Sequence, residues 1–321
     1  MTSGTPTVRR SAPADRVGTP STPVRVAKDR TGWLLIGPAL VFLTVMAIGP
    51  LLFVLYGAFT RYTLAIPTPV TFNGLDNFTK VLGSSRFRSD LKVTALFGLV
   101  NVLLQILVGL ALAMLLNRLR WGRQIFVTLL LLPMIVAPIV VGFAWDLFLN
   151  PIYGPLNSAL EGLGLSGHNW TGSAALALPT VMFVDSWQWF PFVMIILLAG
   201  LQAIPPRIYE AARVDGSSWT QTFRNVTLPL LLPYILVAFV LRFIDSFKIF
   251  DVLYILTKGG PGTRTENLGY YTYSLGFTQF DIGQAAALSL IQLFIVTVVT
   301  AVAIAVLRRR RLQQTPRGAT R

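Results

Sequence analysis

Four windows of this chain, residues 31–60, 93–117, 186–206 and 282–307, contain no Asp, Glu, Lys or Arg. Each is long enough to cross a bilayer as a helix, which takes about 20 apolar residues. No other feature restricts the fold as strongly. In hydrocarbon every backbone N–H and C=O needs an internal partner, so a spanning chain is either helical or a closed barrel. A barrel would read as segments of about ten residues with alternating hydrophobicity, and the sequence has none. Charged residues make up 12% of the chain and hydrophobic ones 54%, against about 25% charged in a soluble domain. The expected fold class is therefore an all-α membrane protein.

Six transmembrane helices are expected, at about 33–59, 93–116, 125–148, 177–201, 228–248 and 285–307, within a membrane domain of residues 31–307. Asp146 intrudes on the third, and Arg242 and Asp245 on the fifth. Residues 1–30, rich in Ser, Thr, Pro, Arg and Gly, read as a disordered cytoplasmic tail. Residues 308–321, opening with Arg308-Arg309-Arg310-Arg311, read as a basic cytoplasmic tail. The first apolar stretch is too long for the core of a signal peptide. With both termini in the cytoplasm, eighteen of the 27 Lys and Arg fall in inner segments and seven in outer ones. That distribution obeys the positive-inside rule. The net charge of +14 thus reflects orientation in a lipid bilayer, and no nucleic-acid partner is expected.

The absence of cysteine excludes disulfides, thiol nucleophiles and thiolate metal sites. The single histidine, His168, lies in a Gly/Asn-rich loop and cannot by itself build a metal centre. No HExxH run and no nucleophile–base arrangement occurs, so no catalytic residue is assigned. No G-x-x-x-x-G-K-[ST] run is present to cradle nucleotide phosphates, so no cofactor is expected on this chain.

Three polar stretches stand out against the apolar background. The loop 205–229 contains "PPRIYEAARVDG", where Pro205-Pro206 suits the first turn of a helix and Gly216 its end. A solvated connector and a docking helix are both compatible with it. In "DSWQWFPF", Asp185, Gln188, Trp189 and Phe192 recur at helical spacing on one face, and Pro191 frees a backbone carbonyl. In "RFIDSFKI", Arg242, Asp245, Ser246 and Ile249 do the same. A charge within a span costs about 2.5–3.5 kcal/mol on insertion scales and marks either a transport path or a structural pair. Carboxylates and amides beside aromatic rings suit a sugar. Lys248 and Asp251 fall off the second polar face and read as interfacial.

Glu210-Ala211-Ala212, then Asp215-Gly216, then Leu228-Pro229 resembles the EAA signature of ABC-importer permeases, departing only at Ser217 where Ala is usual. "FDVLYILTKGGPG" at 250–262 and "PFVMIILLAGLQAIP" at 191–205 resemble the carbohydrate branch of that family, the permeases similar to the maltose-transporter subunit MalF. The resemblance covers roughly residues 30–310 and implies the type I importer permease fold, in a bacterial or archaeal cytoplasmic membrane. It implies sugar or polyol uptake by alternating access. The implied partners are a second homologous permease, two cytoplasmic ATPase subunits that hold ATP and Mg, and an extracytoplasmic solute-binding protein. On this resemblance Tyr209, Glu210, Ala211, Ala212, Asp215, Gly216, Leu228 and Pro229 couple the chain to the ATPases. The substrate path falls at Asp185, Gln188, Trp189, Phe192, Arg242, Asp245, Ser246 and Ile249. The alternatives are a phosphorylated polyol as cargo, with Arg242 supplying positive potential, or a membrane scaffold without a substrate path.

Overall fold

The computed structural model describes residues 30–66, 68–119 and 121–314. The expected tails, 1–30 and 308–321, lie outside the described residues except for helical backbone at 30 and 308–314. Residues up to Pro50 form one unit and residues from Leu51 a second. The described part of the first is the leading portion of helix α1 (Arg30–Ala58), which carries Pro38 and Pro50. Its side chains Val41, Phe42, Leu43 and Met46 are exposed, as a helix surrounded by lipid presents them.

The second unit begins with the end of α1 and a two-stranded antiparallel ribbon, β1 (Thr60–Arg61) and β2 (Thr71–Phe72). A short helix α2 (Asp76–Gly83) leads to α3 (Ser85–Leu96), a π turn (Phe97–Asn101) and α4 (Val102–Arg118), which together make one apolar span, Ser85–Arg118. Then come α5 (Arg123–Ile135), α6 (Pro138–Phe148), α7 (Pro155–Gly162) and α8 (Ala177–Gln202). Next are α9 (Pro206–Val214), α10 (Trp219–Thr222), a π turn (Phe223–Thr227) and α11 (Leu228–Ser246). The chain closes with α12 (Asp251–Leu256), α13 (Leu268–Tyr273), a third π turn (Ser274–Thr278) and α14 (Ile282–Gln314). Among the described residues five helical stretches are long and apolar enough to cross a membrane, six if α5 and α6 count as one broken span.

The helices depart from the expected spans at identifiable signals. The second begins at Ser85 rather than 93, because the Ser84 hydroxyl accepts from the Phe87 N–H and caps the first turn. The fifth begins at Trp219 rather than 228, on a capping box in which Ser218 and Gln221 exchange bonds. An S-x-x-Q run is a sequence-level helix start, and the helix then continues through Pro229. The third is not one straight helix: α5 and α6 meet at 92°. Pro138 cannot donate to the ladder and biases Ala137 away from helical geometry; Ala137 sits at φ −58°, ψ 136°.

α4, α8 and α11 form the centre of the second unit, around Val102, Ile106, Ala113, Val193, Met194, Leu197, Leu231 and Ala238. Lipid tails are as apolar as these side chains, so helix association relies on close packing, which small residues permit. At Gly109 a Cβ would lie 3.0 Å from the Met194 nitrogen, and at Gly200 one would lie 2.6 Å from the Tyr234 ring. These glycines let α4 and α11 approach α8, and that approach brings the polar faces of α8 and α11 together.

Candidate functional site

Where α8 and α11 meet, Arg242 is buried, with 2% of its side chain exposed. Its Nε donates to Gln105 Oε1 at 2.8 Å and its Nη2 to Asp185 Oδ2 at 3.0 Å. Nη1 lies 3.6 Å from Asp245 Oδ2, and the guanidinium covers the Trp189 ring at 4.8 Å. Asp185 Oδ2 also accepts from Asn101 Nδ2 at 2.6 Å and Gln105 Nε2 at 2.9 Å, and Ser186 donates to Asn101. Three helical elements therefore converge on one ion pair. Burying both charges is tolerable because each has several hydrogen-bond partners.

Beside this node opens a cavity of about 230 Å³ lined by Pro138, Asp185, Trp189, Arg242, Asp245, Lys248, Ile249, Phe250, Asp251 and Val252. Of the residues expected along a substrate path, Asp185, Trp189, Arg242, Asp245 and Ile249 share it. Gln188, Phe192 and Ser246 do not line it. Gln188 is buried and donates to the Val136 carbonyl at 3.0 Å, the carbonyl beside the α5–α6 break, while its Oε1 has no partner. Ser246 donates back to the Arg242 carbonyl at 2.8 Å.

Lys248 and Asp251, read from sequence as interfacial, are part of this cavity wall. The helical wheel fails there because α11 ends at Ser246 and the chain turns before α12 begins at Asp251. Lys248 Nζ lies 3.7 Å from Asp245 Oδ1. Sequence reasoning also missed Asn101 and Gln105. Their signal was available: two amides four residues apart in an otherwise apolar window share a helical face.

At the other end of α8, the loop 205–229 forms the short helix α9, whose first residue is a proline. Glu210, Ala211 and Asp215 are exposed, as is Val214 at 88%, whereas Ala212 is buried and Tyr209 half-buried. Gly216 takes φ +71°, a left-handed geometry that closes a helix. Leu228 and Pro229 lie at the start of α11, beyond the π turn. The Tyr209 hydroxyl meets Thr227 Oγ1 at 3.4 Å. α9 thus turns one side to the helix ends and offers Glu210, Ala211, Val214 and Asp215 outward.

The family of binding-protein-dependent transport system inner membrane components matches residues 105–312, most of the described chain and both polar regions. The chain belongs to that family. This permease is 39% identical over 278 residues to the probable ABC transporter permease protein y4oQ of Sinorhizobium fredii, covering 86% of this chain and 89% of that one. It is 37% identical over 291 residues to the trehalose/maltose transport system permease protein MalF of Thermococcus litoralis, covering 90% and 97%. Its fold matches a chain of a bacterial alginate ABC transporter crystallised with an alginate pentasaccharide-bound periplasmic protein, with a TM-score of 0.76 at 24% identity over 89% and 98% of the two chains.

The permease is a multi-pass membrane protein and a transport subunit, not an enzyme. Chemically, its cavity can hold a hydroxylated solute: Asp245 and Asp251 accept, Lys248 donates, and the Trp189 ring offers apolar area. It is poorly suited to an anion. Three carboxylates, Asp185, Asp245 and Asp251, face two cations, Arg242 and Lys248, and the Arg242 Nε and Nη2 already donate to Gln105 and Asp185.

Proposed function

We propose that this permease imports a neutral sugar or polyol across the cytoplasmic membrane of a bacterium or archaeon, by alternating access. An extracytoplasmic solute-binding protein delivers the solute, a second homologous permease completes the pore, and two cytoplasmic ATPase subunits hold the ATP and Mg. The observation that carries this reading is the cavity between α8 and α11. It places ionic and aromatic side chains between apolar helices, where charge is expensive and marks a path or a structural pair, and beyond the Arg242–Asp185 pair it leaves Asp245 and Lys248 facing the cavity. The 37% identity to a trehalose/maltose permease supports a sugar as cargo. Asp185, Trp189, Arg242, Asp245 and Ile249 form the path, with Gln188, Phe192 and Ser246 behind it.

Tyr209, Glu210, Ala211, Ala212, Asp215, Gly216, Leu228 and Pro229 couple the path to ATP hydrolysis. Glu210, Ala211 and Asp215 make the docking surface, and Tyr209 and Ala212 anchor α9 to the helix ends. A phosphorylated polyol fits less well, because Arg242 is enclosed and the cavity carries an excess of carboxylate. A scaffold without a path has no use for that cavity.

The test is reconstitution of the complex, purified through a tag on this chain, into proteoliposomes with its binding protein. ATP-dependent uptake of labelled glycerol, glucose, maltose or trehalose is expected. Uptake of glycerol 3-phosphate in preference to all four would reverse the assignment of cargo, and no ATP-dependent uptake at all would favour the scaffold.

A further inference from the structure

The cavity is not the end of the aromatic surface that borders it. Phe250 lines the cavity and also walls a second, almost wholly apolar groove of about 430 Å³, with Phe53, Val54, Tyr273, Phe277 and Ala286. From Phe250 a chain of rings continues. Phe250 and Tyr273 have centroids 4.9 Å apart, Phe250 and Tyr254 5.2 Å, Tyr254 and Tyr273 5.4 Å, and Tyr273 and Phe277 5.3 Å. Tyr270 flanks them, 6.3 Å from Tyr254. All four of the continuous rings are partly or fully exposed, Phe277 to 71%. Phe250, Tyr273 and Phe277 wall the groove, and Tyr254 packs against the first two.

Two contacts fix the direction of this ladder. The Leu268 N–H donates to Thr94 Oγ1 at 3.0 Å, and Arg86 Nη2 to Ser274 Oγ at 3.2 Å. α13 and its π turn therefore run antiparallel to α3, from beside Thr94 back toward Arg86. On the orientation the basic residues imply, α3 begins on the outer side. The rings then lead from Phe277, near the outer end, inward to Phe250 and the charged cavity.

We propose that Phe250, Tyr273 and Phe277, with Tyr254 packed against the first two, form a stacking track on which a saccharide ring moves between the outer opening and the cavity. A sugar ring has an apolar C–H face and a rim of hydroxyls. Aromatic faces bury the first through large, rigid contact areas, and tyrosine hydroxyls can bond the second. Successive rings offer near-equivalent positions, a property suited to movement more than to retention. The continuity at Phe250 is what commits the groove to the same solute as the cavity, so the track rests on the sugar reading above.

The test uses the reconstituted complex and the same labelled panel. Tyr273→Leu and Phe277→Leu keep apolar volume and remove the ring; Tyr273→Phe keeps the ring. A fivefold to tenfold fall in maltose, trehalose or glucose uptake is expected for each leucine variant, with assembly and solute binding by the external protein unchanged. Tyr273→Phe should stay within about twofold, since the conservative ring retains the stacking face. Phe277 is largely exposed, so its variant reads out even if Tyr273→Leu fails to assemble. Unmodified uptake in Phe277→Leu, or equal loss in Tyr273→Phe and Tyr273→Leu, overturns the track while leaving transport intact. Uptake of glycerol alone by the unmodified complex also overturns it, because glycerol has no ring. Uptake of none of the panel removes the sugar reading on which the track depends.

Discussion

Arg242 illustrates how a side chain can line a cavity while holding a buried ion pair beside it. Its partner across the helix interface is Asp185 at 3.0 Å, and its neighbour on the same helix, Asp245, is farther away at 3.6 Å. From sequence Asp245 was the natural mate, three residues along one helix; Asp185 is on another element and could be paired only in three dimensions. Asp185→Ala should leave a buried guanidinium without its counter-charge and destabilise the permease by about 3–5 kcal/mol. The measure is the fraction recovered as assembled complex, or its thermal midpoint in detergent. The double change Asp185→Leu/Arg242→Met removes both charges and should recover assembly, since replacing a buried pair by apolar residues is often neutral. Asp245→Ala, whose side chain is 48% exposed, should leave assembly unchanged and reduce uptake. Normal uptake by Asp245→Ala would take it off the path.

At the scale of elements, the helix α9 and the contacts of α8 make separate predictions. Glu210 is exposed on α9, so Glu210→Lys reverses a charge at the proposed ATPase contact without disturbing packing. Uptake should fall about tenfold or more, the loss expected from truncating a contact worth over 1.4 kcal/mol, while the chain still inserts. ATPase activity and uptake measured on the same proteoliposomes give the coupling ratio, and an unchanged ratio would remove α9 from the coupling machinery. Gly216 holds φ +71° with open space around it. Proline cannot adopt that angle, whereas asparagine tolerates it. Gly216→Pro should therefore uncouple and Gly216→Asn should not. On α8, Gly200→Val places a branched side chain where even a Cβ meets the Tyr234 ring at 2.6 Å. A loss of about 1–3 kcal/mol from overpacking should lower the thermal midpoint of the complex.

For the whole molecule the testable quantity is orientation. The chain has no native cysteine, so single cysteines report their side of the membrane. Thr68 and Ser166 are exposed and lie outside the apolar spans. A membrane-impermeant thiol reagent applied to intact cells should label cysteine at Thr68 and Ser166 but not at Thr315. Labelling at Thr315 with protection of the other two would invert the topology.

The charge-free windows, continuous in hydrophobicity with no ten-residue alternation, by themselves required helices, because only a helix or a closed barrel satisfies a backbone in hydrocarbon, and the ordered EAA and KGGP motifs carried the family. Those signals are local: composition over about 20 residues, or identities a few positions apart. Helix starts at Ser84 and Ser218 were equally local and could have been read from their capping patterns. The 92° break at Pro138 was announced by the proline, but its angle depends on what α5 and α6 pack against. Which polar residues meet was decided only by tertiary structure. Gly109 and Gly200 set how closely α4 and α11 approach α8, and that approach joins Asn101, Gln105, Asp185 and Arg242 into one node. A helical face states which side chains point the same way along one axis. Cavity membership depends on where a second helix crosses it and where the first one ends, which is why Lys248 and Asp251 joined the wall and Gln188 and Ser246 turned to backbone carbonyls.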